Sequence, residues 1–174
     1  CGGGRVRLWD LRTFTFVRSL QHDEVSGPAI SVSINNGNGN VVTLVCSQLS
    51  IFDINGVIIA RLTPYVPNAP TCAVATDCPE WMEKGVAVVT GHKNGEINFW
   101  SIDYTNKELQ LRAMLEENPH KSVITALRVA SSGERQDTLL AGDSSGALSV
   151  SKTRQLESLS ADDSSHHEVA MSWT

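Results

Sequence analysis

Thr90-Gly91-His92-Lys93-Asn94-Gly95-Glu96-Ile97-Asn98-Phe99-Trp100-Ser101 reads as two strands joined by a tight turn, the second strand stopping on an aromatic. Gly95 supplies the positive φ that such a hairpin needs. The same pattern of strand, Gly-x-x-x-Gly and alternating strand recurs at residues 138–151, with Gly142 and Gly146 in the glycine positions. Working toward the N-terminus, alternating strands also end at Trp9, followed by Asp10, and at Phe52, followed by Asp53. Trp9 to Phe52 is 43 positions, Phe52 to Trp100 is 48, and Trp100 to Ser151, the degraded copy, is 51. A period of roughly 40–50 residues that closes on a Trp-Asp-like pair marks the four-stranded blade of a β-propeller.

The intervening sequence supplies the remaining strands. Residues 14–20 and 57–62 read as outer strands, the latter entered by a turn at Asn55-Gly56. Residues 29–34 alternate strictly, as an inner strand should. Residues 35–40 form an Asn/Gly loop, and 41–45 lead back into the strand that ends at Phe52. Three prolines within residues 63–70 exclude a helix or a central strand there. Inner strands are predicted at 71–76 and 123–129 and an outer strand at 109–115. Only residues 106–117 carry a competing helical period, and the flanking repeat favours strand. The expected fold is all-β, a partial propeller of about three to four blades of four-stranded antiparallel sheet over residues 1–152. Residues 153–174 are Ser- and Asp-rich and are expected to be a disordered tail or linker.

The chain has 174 residues and a net charge of −5, which argues against nucleic acid, whose binding requires a basic face. No apolar run approaches the ~20 residues of a membrane helix. Cys1, Cys46, Cys72 and Cys78 form no Cys-x-x-Cys pair, and His166-His167 lie in the polar tail, so neither a metal nor a cofactor is expected. The first residues lack an initiator Met and fall inside a blade, as in a piece of a longer polypeptide.

Beyond the bare repeat, Gly4-Arg5-Val6-Arg7-Leu8-Trp9-Asp10, Thr90 to Trp100 and His120-Lys121-Ser122-Val123-Ile124-Thr125-Ala126-Leu127 resemble WD-repeat blades. A narrower succession runs from Ile51-Phe52-Asp53-Ile54-Asn55-Gly56-Val57 through a Cys-bearing strand and Glu80-Trp81 to Val88-Val89-Thr90-Gly91-His92. It is similar to the C-terminal propeller of BEACH-domain proteins, the large scaffolds of lysosomal, vesicle and autophagic traffic. The resemblance implies a non-catalytic protein–protein interaction scaffold, cytoplasmic or peripheral on endosomal, lysosomal or autophagic membranes. Its partners would be other proteins and the upstream domains of the parent chain. Alternatives are a WD-repeat adaptor of signalling or ubiquitin ligation, or a propeller-fold enzyme. The family ties a His before the inner strand to a hairpin Asp and the closing Trp. Here His22 precedes a blade closed by Phe52, no His precedes the blade closed by Trp100, and His120 precedes one closed by Ser151. No blade is therefore expected to keep the full network, which predicts loosened blades.

Candidate chemistry is sparse. Asp10, Asp53 and Asp143 recur with the repeat, as structural turn residues do, and no convergent carboxylate pair is legible. Trp9, Asp10, Phe52, Gly91, Gly95, Trp100, Gly142 and Gly146 are the structural repeat positions. Trp81 and Met82 lie in a polar loop outside the repeat, and with Tyr65 they are the candidate protein contacts, Trp81 as a hot-spot anchor. A part-propeller should also expose apolar blade faces. Ser160 and Ser165 match an acidophilic phosphorylation pattern.

Overall fold

The computed structural model describes residues 6–22, 27–62, 68–76, 81, 85–115, 118–132 and 136–152. Their regular elements are strands in four successive groups. The first blade contributes β1 (Val6–Asp10) and β2 (Thr15–Leu20). The second is complete, with β3 (Ala29–Ile34), β4 (Val41–Val45), β5 (Gln48–Phe52) and β6 (Ile58–Arg61). The third is also complete, with β7 (Pro70–Ala75), β8 (Val88–His92), β9 (Ile97–Asp103) and β10 (Glu108–Met114). The fourth contributes β11 (Ile124–Ser132), β12 (Gln136–Asp143) and β13 (Leu148–Lys152). Within each blade every neighbouring pair is antiparallel, and the second and third blades meet at their outer strands through Arg61 and Glu108. The chain is thus an all-β partial propeller, as the repeat predicts. The stretch with helical periodicity folds as β10, because its alternate residues pair against β9 and bury Leu109.

Two irregularities recur in register. Each inner strand carries a bulge one residue in, between Ala29 and Ser31, Pro70 and Cys72, and Ile124 and Ala126. Each outer strand bulges beside the closing aromatic. Trp9 pairs with Phe16, Phe52 with Ile58 and Trp100 with Leu111, and the next outer-strand residue, Val17, Ile59 or Arg112, is left without a ladder partner. A bulge bends its strand and adds twist, so the same device at the same point splays every blade alike.

The core lies between blades, in three clusters. Val6 and Leu20 of the first blade meet Val41, Val45 and Phe52 of the second. Leu44, Leu49 and Ile51 of the second meet Ala73, Val88 and Trp100 of the third. Val89, Ile97 and Phe99 of the third meet Ile124, Leu139 and Ala141 of the fourth. Phe52 and Trp100 therefore bury their rings with residues of the preceding blade. Trp9, the same residue in the first blade, is 49% exposed and rests edge-on against Phe16. Ile30, Val32 and Ile34 of β3 are likewise about half exposed, the open apolar face expected of a part-propeller.

Inner strands are stitched by side chains. Ser31 Oγ donates to the Ala73 carbonyl at 2.9 Å, Ser33 Oγ accepts the Ala75 N–H at 3.0 Å, and Asn35 Nδ2 donates to the Thr76 carbonyl at 2.6 Å. The diverging blades leave the backbone edge of β7 without a ladder partner, and hydroxyls satisfy it instead. Gly91 is needed for space here: a Cβ would sit 2.4 Å from Ile124 Cγ2 of the next blade.

Candidate functional site

Three polar clusters occupy equivalent places in successive blades. In the third blade Trp100 Nε1 donates to Thr90 Oγ1 at 2.7 Å, and Thr90 Oγ1 lies 2.8 Å from His92 Nε2. His92 Nδ1 donates to the Asn68 carbonyl at 2.8 Å. A carbonyl only accepts, so Nδ1 carries the proton and the neutral ring offers Nε2 as acceptor for the Thr90 hydroxyl and the Asn98 amide. Burial pushes the His92 pKa below its ordinary 6.5, against opposing pulls from the Asn68 carbonyl and Glu96. Geometry and electrostatics thus agree on a neutral ring.

In the fourth blade Ser149, His120 and Asp143 line up, with Ser149 Oγ 2.8 Å from His120 Nε2 and Asp143 Oδ2 2.8 Å from His120 Nδ1. The other Asp143 oxygen accepts the Ser145 hydroxyl at 2.6 Å and the N–H groups of Ser145 and Ala147 at 2.9 and 3.1 Å. The Ser145 hydroxyl first, and then His120, hold this carboxyl well below the usual carboxylate range. A hydroxyl–imidazole–carboxylate relay is the order used by nucleophilic hydrolases. Here the His120 and Asp143 side chains are sealed from solvent and Ser149 is buried, so the relay ties the hairpin to the loop entering β11. In the second blade Thr43 Oγ1 donates to the Ser50 carbonyl at 3.3 Å and so accepts His22 Nε2–H at 3.2 Å, while the His22 ring stands edge-on to Phe52.

No described blade keeps the full His–Asp–Trp set, yet the second, third and fourth each hold a shortened cluster. His92 pairs across from Pro70 as Asp143 pairs across from Ile124. The third blade has exchanged its partners: the hairpin supplies the imidazole, and the entry loop supplies a backbone carbonyl in place of a histidine. The signal was Thr90-x-His92 at a strand end, one turn before the Gly of the hairpin.

The expected contact residues fare differently. Trp81 is 1% exposed and packs edge-on against Phe99, ring centroids 5.6 Å apart, in the core between the third and fourth blades. Its carbonyl accepts the Val86 N–H at 2.8 Å, which turns the loop back onto the blade. A ring enclosed in this way is no rim anchor, and the expectation for Trp81 is corrected. Tyr65, Met82, Ser160, Ser165 and residues 153–174 lie outside the described residues. Gly95 and Gly146 take positive φ, 89° and 90°, as hairpin glycines must. Among the described residues no three His, Cys, Asp or Glu side chains converge as metal ligands.

A cleft of about 420 Å³ opens between the second and third blades, on the side of the β3–β4 and β7–β8 connections. Its apolar floor includes Val42, Ile51, Val86 and Ile102. Its walls carry Asn38 and Asn40 from one blade and Tyr104, Gln110 and Arg112 from the other. Gln110 Nε2 donates to Asp103 Oδ2 at 2.8 Å. Among the described residues no carboxylate lines the cleft, and Arg112 is the one charged side chain that does. The floor and walls together have the make-up of a ligand pocket, apolar with a few convergent polar groups.

No protein-family model matches the chain. It is 27% identical over 168 residues to BEACH domain-containing protein A2 of Arabidopsis thaliana, covering 82% of this chain and 5% of that protein. It is 26% identical over 169 residues to Protein SPIRRIG of Arabidopsis thaliana, covering 82% and 4%. Against WD repeat- and FYVE domain-containing protein 4 of Mus musculus the identity is 28% over 112 residues, covering 63% and 3%. The chain thus spans only 3–5% of the length of these curated relatives. The chain is thus similar over 82% of its length to BEACH-domain proteins, and its blades closing at Trp9, Phe52 and Trp100 are consistent with a BEACH-type WD-repeat region.

Proposed function

We propose that the chain is a non-catalytic docking platform within a longer BEACH-type scaffold. The observation that carries this reading is where its polar chemistry sits. His92, His120 and Asp143, the buried titratable groups that could do acid–base work, are each committed to hydrogen bonds inside a blade. What the described surface offers is concave and uncommitted to chemistry, with amide and hydroxyl walls over an apolar floor. The BEACH and WD-repeat names of the relatives support the same reading. Its setting would be cytoplasmic, on endosomal, lysosomal or autophagic membranes reached through partner proteins.

The test compares the tagged parent polypeptide with and without residues 6–152, by crosslinking and quantitative mass spectrometry alongside imaging of its location. Loss of a defined set of crosslinked proteins on deletion is the expected result. An unchanged set would remove the docking function from this region, and a location unrelated to those membranes would remove the trafficking assignment.

A further inference from the structure

We propose that the open face of the fourth blade seats residues 166–173 of this same chain, docked there as the inner strand of a fifth blade with His166 as its entry residue. The proposal stands apart from the docking reading, and for these residues it replaces the tail that composition suggests.

The face repeats from blade to blade. Each blade turns one side toward its successor, and stacking of neighbours is what buries that side. In β4 and β5 its residues are Val42, Leu44, Leu49 and Ile51, and in β8 and β9 they are Val89, Gly91, Ile97 and Phe99. The same register in β12 and β13 gives Leu140, Gly142, Leu148 and Val150. Leu49 and Ile97 are 0% exposed, whereas Leu148 is 51% exposed. The glycine repeats as well, and a glycine inside a strand marks a close approach by another segment. Gly91 makes room for Ile124 of the next blade. Gly142 keeps the same room, and among the described residues a Cβ there would meet only Leu148 Cδ1, at 4.0 Å. The bulge residue of the inner strand follows suit. Thr71 Oγ1 sits between the Gly91 carbonyl of its own blade and the Ile124 carbonyl of the next. Its counterpart Thr125 reaches the Gly142 carbonyl of its own blade at 3.3 Å.

The sequence supplies the occupant. The entry residues of the second, third and fourth blades are His22, which meets Thr43, Asn68, whose carbonyl holds His92, and His120, which holds Asp143 and Ser149. His22 to Asn68 is 46 positions, Asn68 to His120 is 52, and His120 to His166 is again 46. From closing residue to next entry residue the steps are 13, 16 and 20 positions, and Ser151 to His166 is 15. His166-His167-Glu168-Val169 also repeats the His-x-x-Val of residues 22–25 and 120–123. Val169, Met171 and Trp173 then alternate as strand residues do. Counted from the entry histidine, Ala170 stands where Ile124 does and Trp173 where Leu127 does. Ile124 fills the room over Gly91, and Leu127 packs on the core shared with the third blade. The same places one blade on lie over Gly142 and Leu148.

The experiment places the photocrosslinking residue benzoylphenylalanine at position 148 of the parent polypeptide and maps the crosslinked peptides by mass spectrometry. A parallel label at Val32 samples the other open apolar face, that of β3. Expected is capture of residues 166–173 by the label at 148, within one polypeptide, and none by the label at 32. Trp173→Asp should abolish that capture. Gly142→Val should abolish it too, although valine suits a strand and meets no clash among the described residues. Trp173→Asp leaves the fourth blade itself untouched, so it decides the matter even where Gly142→Val disturbs the fold. Capture that survives Trp173→Asp would mean a nearby segment met by chance. Capture of residues 153–165, of a second copy or of another protein in place of 166–173, capture by the label at 32 instead, or no crosslink at all would each overturn the assignment.

Discussion

The Asn68 carbonyl accepts the Nδ1–H of His92 at 2.8 Å, and this bond sets the direction of the whole cluster in the third blade. With Nδ1 protonated, Nε2 must stay bare to accept from Thr90 and Asn98. Burial depresses the His92 pKa below its ordinary 6.5, so the unfolded chain takes up this proton at higher pH than the folded chain. Stability from this group is full above that value and is lost as pH falls through the folded pKa. Melting temperature should therefore drop from pH 7 toward pH 5. In His92→Gln the part of that slope due to this ring should vanish. Identical slopes for the two proteins would show that His92 is not the proton-linked group. A second loss, from Asp143, belongs at far more acid pH, because its carboxyl is held below the usual range.

Gly95 and Gly146 take the same backbone conformation, φ 89° and 90°, in equivalent hairpins. Their surroundings differ. A Cβ on Gly95 would lie 2.5 Å from the His120 carbonyl oxygen, whereas one on Gly146 meets nothing within 4 Å. Gly146→Ala should cost about 1 kcal/mol, the strain of positive φ alone. Gly95→Ala adds a clash with backbone and should cost roughly 2–4 kcal/mol. Denaturant melts of the two single variants measure the difference directly. Equal costs would mean that the joint between the third and fourth blades yields freely at this point.

What the sequence made legible was whatever repeats. The hairpin glycines, the closing aromatics and the alternating strands follow local rules that each blade obeys separately, so the strands at 29–34 and 41–45 could be placed from spacing alone. What it hid depends on neighbours across a blade boundary. The Gly-x-x-x-Gly pattern already sets His92 at the place of Asp143, but that the Asn68 carbonyl then takes the place of a histidine shows only in the folded blade. The cleft was equally hidden: Asn40 and Arg112 are 72 positions apart in the chain, and their joint lining follows from blade stacking. Trp81 was misplaced because polarity around a residue says where its loop runs and not which way its ring turns.

Trp100→Phe tests what the closing tryptophan contributes beyond its ring. Phe52 holds the same position in the second blade, where the Thr43 hydroxyl donates to the Ser50 carbonyl and accepts from His22. In the third blade the donor to Thr90 is Trp100 Nε1 itself. Phenylalanine at position 100 would keep most of the packing and leave Thr90 Oγ1 short of a donor, at a cost of about 1–2 kcal/mol beyond lost area. Adding Thr90→Val should return part of that loss, because it removes the deprived hydroxyl along with its partner. Strict additivity of the two substitutions would show that the hydrogen bond contributes nothing separable from burial.

Trp81→Ala separates a core residue from a contact residue. The ring is enclosed by the third and fourth blades, edge-on to Phe99 and beside Val86 and Leu139. Its Nε1 is buried with no hydrogen-bond partner among the described residues, so the residue's worth lies in its apolar area and its ring contact. Truncation removes the largest side chain of that cluster and leaves a cavity that neighbouring strands, held in their ladders, cannot fill. The expected loss is about 3–5 kcal/mol, of the same order as a large-to-small change in any well-packed core. Phe14→Ala is the control. Phe14, which the sequence assigns to an outer strand, lies in the turn before β2 and is 80% exposed, and its removal should stay within about 0.5 kcal/mol. Chemical denaturation of both variants beside the parent decides the matter. A Trp81→Ala protein that melts like Phe14→Ala would mean that the ring spends its time outside the core, and would return Trp81 to the rim as a surface for partners.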